Sequence, residues 1–185
     1  MRTCRATTIA GLIAVALAIT LVSPARADVQ RFDDRPSENS TSNDILWVRV
    51  DNSTADRRKI IVTVQGQQID PPIPDGLPYI DAFYVYFDTK PSRPAPEFML
   101  WVIQDTGFFH MRNWRDQGAS IDPHGGCVRG DRDTDTDRWR VAFKRRCLGS
   151  PGTVRVAVRT VRDTDHNHSV DWARKYHRFL GPVSR

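Results

Sequence analysis

The sequence predicts an all-β fold, specifically an antiparallel two-sheet β-sandwich, from three observations. Apolar residues recur at every second position in several short segments, which is the period of a strand with one buried face. Proline, glycine, asparagine and aspartate cluster between these segments, as expected of turns. Helical periodicity of useful length is absent between them, so two packed sheets are favoured over alternating strands and helices. A partly closed β-barrel is the alternative.

Four segments form the two predicted N-terminal hairpins. Residues 45–51 and 58–65 alternate around a turn at residues 52–56, and residues 80–89 pair with residues 97–104. The residues predicted to face the core are Leu46, Val48, Val50, Ile60, Val62, Val64, Phe83, Val85, Phe87, Phe98, Leu100 and Val102.

The C-terminal half carries a third predicted pair. Residues 138–147 and 153–161 alternate most clearly, and the loop 148–152 between them contains two glycines and a proline that suit a chain reversal. The residues predicted to face the core are Trp139, Val141, Phe143, Val154, Val156 and Val158. Residues 108–114 are a shorter candidate strand, and the tail at residues 169–180 is predicted to be a short helix or an edge segment.

The N-terminal residues 1–27 have the organisation of a secretory signal peptide. Arg2 and Arg5 precede an apolar run at residues 6–22, and a small-x-small cleavage signal ends at Ala27. A membrane anchor is the alternative, but the run is shorter than the roughly 20 residues that span a bilayer. We expect a secreted protein with no membrane span after cleavage, a polar and irregular or mobile arm at residues 28–44, and a single domain at residues 45–185.

The charge balance argues against nucleic acid as a partner. The whole chain has a net charge of +5, but residues 1–27 contain three arginines and no acid, so cleavage lowers it to +2. Nucleic-acid binding needs a dense basic surface that displaces counterions.

The two cysteines beyond the signal segment predict one disulfide. Cys127 and Cys147 form an even pair in a chain expected to leave the cytoplasm, where thiols oxidise.

Several sequence features together resemble a family of small secreted proteins common in actinobacteria. These are the export signal, FDT at residues 87–89 followed by PE at residues 96–97, CLGSPGTVRVAV at residues 147–158 and the pair Asp171-Trp172. The resemblance covers essentially the whole mature chain and implies a β-sandwich without implying an activity. The layout is more distantly similar to extracellular sandwich domains that bind sugars or haem, which is an analogy of fold alone.

Two polar clusters are candidate metal sites. The alternating carboxylates of Asp131, Asp133, Asp135 and Asp137 could converge on calcium, although the run lacks the glycine and the distal glutamate of a calcium loop. A solvated turn is the favoured alternative, so no cofactor is expected.

The second cluster has residue types that bind transition metals, with an exposed loop as the alternative. It comprises Asp163, Asp165, His166, His168 and Asp171.

The outward face of the second hairpin is the most informative functional feature. If the phenylalanines are buried, the opposite face gathers Tyr84, Tyr86, Met99, Trp101 and Ile103. This much apolar surface should not remain wet. Either the tail around Trp172 covers it, or it is a platform on which a sugar ring or a partner stacks.

These features favour a non-catalytic binding or structural module over an enzyme. The leading hypothesis is recognition of carbohydrate or a cell-envelope polymer through Tyr84, Tyr86 and Trp101. The alternative is an extracellular hydrolase with a carboxylate pair, for which the acids near Asp88 and Glu97 are candidates.

Outward arginines of the last predicted strand pair form a basic stripe that could face an acidic polymer or could be an ordinary solvated face. Its arginines are Arg138, Arg140, Arg155 and Arg159.

Overall fold

The chain folds into two antiparallel sheets packed face to face, which confirms the predicted sandwich, and the sheets do not close into a barrel. The computed structural model describes residues 29–35, 44–53, 58–67, 79–90, 92–93, 96–103, 108–114, 120, 126–164, 167–176 and 178–185. The predicted signal peptide lies outside this range. Among the described residues, none belongs to a helix long and apolar enough to cross a membrane.

The first sheet contains five strands, β1 (Val29–Asp33), β2 (Ile45–Asp51), β3 (Lys59–Gly66), β7 (Val128–Asp133) and β8 (Arg138–Lys144). Their spatial order is β1-β2-β3-β8-β7. The second sheet contains β4 (Tyr79–Asp88), β5 (Phe98–Ile103), β6 (Phe108–Asn113), β9 (Thr153–Thr164), β10 (Asn167–Trp172) and β11 (Leu180–Ser184). Its order is β10-β9-β4-β5-β6, and β11 also pairs with β9.

The core lies between the two sheets and follows the predicted alternation closely. The inward valines, isoleucines and phenylalanines of β3, β4, β8 and β9 are buried. The prediction is wrong at Leu46, which is half-buried while Ile45 is fully buried. The register of β2 against β3 shifts between Ile45 and Trp47, and such a bulge reverses the faces of the residues before it.

The predicted pairing of the last two strands is also wrong. β8 pairs with β3 and β7 in the first sheet, whereas β9 pairs with β4, β10 and β11 in the second. A 3₁₀ turn at Arg145–Leu148 and the left-handed residues Gly149 and Ser150 carry the chain from one sheet to the other. Alternation gives the same buried side chains in either arrangement, because both strands face the same core.

This crossover separates the arginines of the predicted basic stripe. Arg138 and Arg140 lie on the outer face of the first sheet, opposite Gln65 and Thr63 of β3. Arg155 and Arg159 lie on the outer face of the second sheet, opposite Asp88 and Tyr84 of β4. The four arginines therefore do not form one stripe.

The first and the last of the described segments both contain strands. The expectation of an irregular arm is wrong for Val29–Asp33, which pairs with β2 along its whole length. This edge strand is polar because Phe32 is its one residue that packs against the core, and its backbone pairing with β2 adds to that contact. In the tail, the edge alternative is correct, since β10 and β11 pair with successive parts of one edge of β9.

The predicted disulfide joins Cys127 to Cys147, with Cα atoms 5.9 Å apart. It connects the residue before β7 to the 3₁₀ turn after β8. The β7–β8 hairpin is therefore closed covalently at the end opposite its turn.

A buried arginine ties the same end of the sandwich together. Arg145 is 2% exposed, and its guanidinium donates to the side-chain oxygen of Asn52. It also donates to the carbonyl oxygens of Pro151 at 3.0 Å and Lys59 at 3.1 Å. The Asn52 amide in turn donates to the carbonyl oxygen of Val183 at 2.8 Å. These bonds connect β2, β3, the crossover and β11.

Candidate functional site

A row of four large side chains crosses the outer face of the second sheet. The register places Trp101 of β5 beside Tyr84 of β4, Tyr84 beside Arg159 of β9, and Arg159 beside Trp172 of β10. These strands are consecutive neighbours in the sheet. We call Trp101, Tyr84, Arg159 and Trp172 the stacked row.

The rings and the guanidinium in this row lie against one another. The Tyr84 and Trp101 rings are nearly parallel, at 2°, with centroids 6.1 Å apart. The Arg159 Cζ lies 4.2 Å from the Tyr84 centroid and 5.6 Å from the Trp172 ring. Because β5 and β9 flank β4 on opposite sides, Tyr84 has a neighbour from this row on each side.

Tyr86 occupies the next outward-facing position of β4 after Tyr84 and packs beside the row. It is 5% exposed and stacks on Trp172 with centroids 5.7 Å apart. Trp114 contacts it edge-on at 5.3 Å. Burial of the phenol raises the pKa of Tyr86 to about 12. This side chain is a packing residue between two tryptophans and presents little surface to a ligand.

The tail covers part of the predicted aromatic face and leaves part open. Trp172 covers Tyr86, and Tyr176 packs edge-on against Trp172 at 5.5 Å while remaining 73% exposed. Tyr84 and Trp101 stay half-buried. The side chain of Ile103, also predicted on this face, lies outside the described part of the structure.

The polar atoms of this face are mainly hydrogen-bond donors. Arg112 of β6 is opposite Met99 and so lies diagonally to the row, with its Cζ 5.9 Å from the Trp101 centroid. Within the described ranges, the indole nitrogen of Trp101 and the Nε atoms of Arg112 and Arg159 are buried and have no hydrogen-bond partner. The face combines aromatic surface with the positive charge of two guanidinium groups, and such groups donate to acceptor oxygens.

Two buried carboxylates lie at the end of the β4–β5 hairpin, beside this face. Asp88 is 1% exposed and forms an ion pair with Arg155, and it also accepts from the Lys90 amide at 3.1 Å. Glu97 is 8% exposed and accepts from the amide of Thr89 at 2.8 Å and its hydroxyl at 3.2 Å. Both acids thus organise the start of the hairpin loop.

The four alternating aspartates lie on the β7–β8 hairpin. Asp131 and Asp133 belong to β7, and Asp135 and Asp137 to the exposed turn that follows. Asp133 accepts from the Thr136 hydroxyl at 2.6 Å, which lowers the pKa of Asp133. The part of the chain that the structure describes contains no group of three His, Cys, Asp or Glu side chains that could hold a metal ion.

The second polar cluster is divided in the structure. The His168 and Asp163 side chains lie 3.5 Å apart across β9 and β10, and both are more than half exposed. Asp165 and His166 lie outside the described residues. Asp171 lies at the other end of β10, where it accepts from the Ile45 amide at 2.7 Å and so links the two sheets.

Asp171 makes the fold sensitive to pH. Burial raises the pKa of this carboxyl to about 6, and the charges of Asp44 and Asp34 raise it further, against hydrogen bonds from the amides of Ile45 and Trp172. The folded protein therefore binds more protons than the unfolded chain between about pH 4 and 6. The free energy of unfolding should fall as pH rises through this window, by on the order of 1–2 kcal/mol after solvent screening of the carboxyl.

Replacement of Asp171 by asparagine tests this prediction. The amide keeps an oxygen for the Ile45 N–H but cannot ionise, so urea unfolding at pH 4.5 and pH 7 should differ less in Asp171→Asn than in the parent. Asp34 also has a raised pKa. The free energy of unfolding of the variant should therefore still fall as the pH rises, but less steeply than that of the parent. An unchanged slope in the variant would remove Asp171 as the cause.

Comparisons with known proteins add no relationship. A scan against protein families finds no match for this chain, and a search of curated proteins likewise finds no match.

Sequence reasoning found Tyr84 and Trp101 but missed their arginine partners. Arg159 and Arg112 lie at outward positions of β9 and β6, and alternation assigned Arg159 to an outward face correctly. The missing information was the sheet to which β9 belongs, because this decides whether Arg159 meets aromatic residues or solvent.

Proposed function

We propose that this chain is a secreted, non-catalytic binding module that recognises carbohydrate or a cell-envelope polymer on the outer face of its second sheet. The half-buried stacked row of Trp101, Tyr84, Arg159 and Trp172 carries the proposal. It gathers aromatic rings, guanidinium groups and the exposed Tyr176 on one face. Soluble proteins seldom leave such a patch open without a partner.

The contacts of the row support recognition by cations together with aromatic surface. Tyr84 has Trp101 on one side and Arg159 on the other. Ligand hydroxyl and carboxylate oxygens can accept hydrogen bonds from the guanidinium and phenol groups of the row. An acidic sugar, such as a uronic acid, fits this chemistry better than a neutral one.

The proposed location rests on two features. Residues 1–27 have the organisation of a signal peptide, and the Cys127–Cys147 disulfide is of the kind that persists in oxidising compartments. We propose the relationship to small secreted actinobacterial proteins on the signal segment and on the sequence features at residues 87–89, 96–97, 147–158 and 171–172.

A pair of tryptophan variants tests the binding face. Trp101→Ala should weaken binding of an acidic oligosaccharide, identified on a glycan array, by about tenfold or more, because it removes a central ring of the row. Trp47→Ala is the matched control, since Trp47 is also half-buried and stacked by an arginine, with the Arg31 Cζ 4.6 Å from its ring, but on the first sheet. Titration calorimetry measures both. Equal loss in the two variants would contradict the proposal.

A second candidate function is hydrolysis by a carboxylate pair. Its support is that Asp88 and Glu97 are both buried, with Asp88 at the end of β4 and Glu97 directly before β5, beside the aromatic face. Their hydrogen bonds to the loop backbone favour a structural role. Turnover of acidic or neutral oligosaccharides that disappears in both Asp88→Asn and Glu97→Gln, with folding retained, would establish the hydrolase and displace the binding-only function.

A further inference from the structure

We infer that Arg159 makes the proposed binding face selective for acidic over neutral glycans, because its guanidinium binds the carboxylate group of a uronic acid. The inference rests on the proposed function and assigns its charge selectivity to one side chain. Arg159 lies on β9, between Tyr84 of β4 and Trp172 of β10 in the stacked row. A ligand that lies along the row therefore passes over this guanidinium.

Aromatic rings surround the Arg159 guanidinium. Its Cζ lies 4.2 Å from the Tyr84 centroid, 5.8 Å from the Tyr86 centroid and 5.6 Å from the Trp172 ring. These rings belong to β4 and β10, the two strands on either side of β9. A guanidinium packed between rings is already ordered before binding, which reduces the ordering cost when a ligand arrives.

The charge of Arg159 is not neutralised by an acid of the sheet. Among the residues that the structure describes, its contacts are the three rings, and no carboxylate forms an ion pair with it. Two positions away on β9 lie the uncharged Ala157 and Val161. Asp171 of β10 instead accepts from the amide of Ile45 in the first sheet. The positive charge of Arg159 is therefore available to an anion from a ligand.

Arg155, on the same face of the same strand, shows the opposite arrangement. It is half-buried like Arg159, but it forms an ion pair with the buried carboxylate of Asp88. Phe179 also packs against it, with the Arg155 Cζ 5.7 Å from the ring centroid. One arginine of β9 is thus satisfied by an acid of the fold, whereas the other contacts rings alone within the described ranges.

The terminal nitrogens of Arg159 are the donors that remain for a ligand. The buried nitrogens without a hydrogen-bond partner in the described chain include its Nε but neither Nη atom. The two Nη atoms form the planar end of the guanidinium, which matches the two oxygens of a carboxylate with parallel hydrogen bonds. A uronic acid supplies one such carboxylate on each sugar ring.

Titration calorimetry with three matched probes tests the inference: hexagalacturonate, its methyl ester and its carboxyl-reduced form. The parent should bind hexagalacturonate at least about tenfold more tightly than either neutral probe. Arg159→Met keeps an unbranched side chain between the rings and should bring this ratio within about twofold, with little change for the neutral probes. Arg159→Lys keeps the charge without the planar fork and should retain part of the preference.

Arg140→Met is the matched control, because it removes an exposed arginine from the outer face of the first sheet and changes the net charge equally. It should leave the ratio unchanged, whereas Trp101→Ala should weaken binding of all three probes together. If the parent binds none of the probes, the proposed function fails, and the inference with it. Equal affinity of the parent for hexagalacturonate and its ester, or a ratio lost equally in Arg140→Met, would overturn the inference alone.

Thermal unfolding without ligand separates charge selection from a structural role. Arg159→Met should change the Tm by less than about 2 °C, because no acid of the fold loses its partner and methionine also packs well on rings. Arg155→Met should lower the Tm by at least about 5 °C, because it leaves the buried Asp88 carboxylate without its cation. An equally large fall in Arg159→Met would show that Arg159 stabilises the sheet instead and would overturn the inference.

Discussion

Arg145→Ala should lower the free energy of unfolding by about 3–5 kcal/mol, because it removes a buried charged donor from several acceptors at once. The guanidinium satisfies the buried side-chain oxygen of Asn52 and the carbonyl oxygens of Pro151 and Lys59. Alanine would leave these acceptors without that donor and would leave a cavity where the side chain was. Such a loss is a large share of the 5–15 kcal/mol that stabilises typical domains.

Arg146→Ala is the matched control for this prediction. Arg146 belongs to the same 3₁₀ turn but is exposed, so its removal should change the free energy of unfolding by less than about 0.5 kcal/mol. Urea unfolding followed by tryptophan fluorescence measures both variants. Similar stabilities for the two would mean that the buried hydrogen bonds of Arg145 do not tie this end of the sandwich together.

Removal of the disulfide should be the second large effect. The double variant Cys127→Ser/Cys147→Ser should lose about 3 kcal/mol, the loop-closure value for a sequence separation of 20 residues. The loss should concentrate in β7, which is an edge strand paired only with β8 among the strands described. Of the β7 side chains, Val128 alone is buried, so packing contributes little to its attachment.

Hydrogen exchange locates this second effect. The amides hydrogen-bonded between β7 and β8 should exchange faster in the double variant. The amides hydrogen-bonded between β4 and β9, at the centre of the second sheet, should lose only the protection that the fall in global stability accounts for. Parent protein with its disulfide reduced is the control and should match the variant. Uniform loss of protection across both sheets, or a stability change below about 1 kcal/mol, would contradict the proposed tethering of β7.

The sequence predicted which side chains are buried better than it predicted which strands are neighbours. Alternation assigned Val141 and Phe143 of β8 and Val156 of β9 to the core correctly, because burial depends on the local period of the strand. It could not show that these strands belong to different sheets, since a short loop with glycine and proline suits a hairpin and an arch equally. The polar β1 and β7 were missed because edge strands need little apolar surface.

The difference between local pattern and strand pairing also explains which residues of the candidate site the sequence predicted. Tyr84 and Trp101 belong to one local hairpin, so the sequence alone placed them side by side. Arg159 and Trp172 join them through pairing of β4 with β9 and of β9 with β10, and the first of these brings together residues far apart in the chain. No local pattern encodes that pairing. The addition of Arg159 and Trp172 to the predicted aromatic pair follows from it.

An NMR titration of the indole N–H groups tests the binding face most directly. The chain has five tryptophans, of which Trp101, Trp114 and Trp172 lie on the proposed face, Trp139 is buried between the sheets and Trp47 lies on the first sheet. On addition of the acidic oligosaccharide, the Trp101 and Trp172 signals should shift with a common affinity while the Trp47 and Trp139 signals stay in place. Two results would contradict the proposed binding face: shifts confined to the Trp47 signal, or saturating binding that leaves the signals of Trp101, Trp114 and Trp172 unchanged.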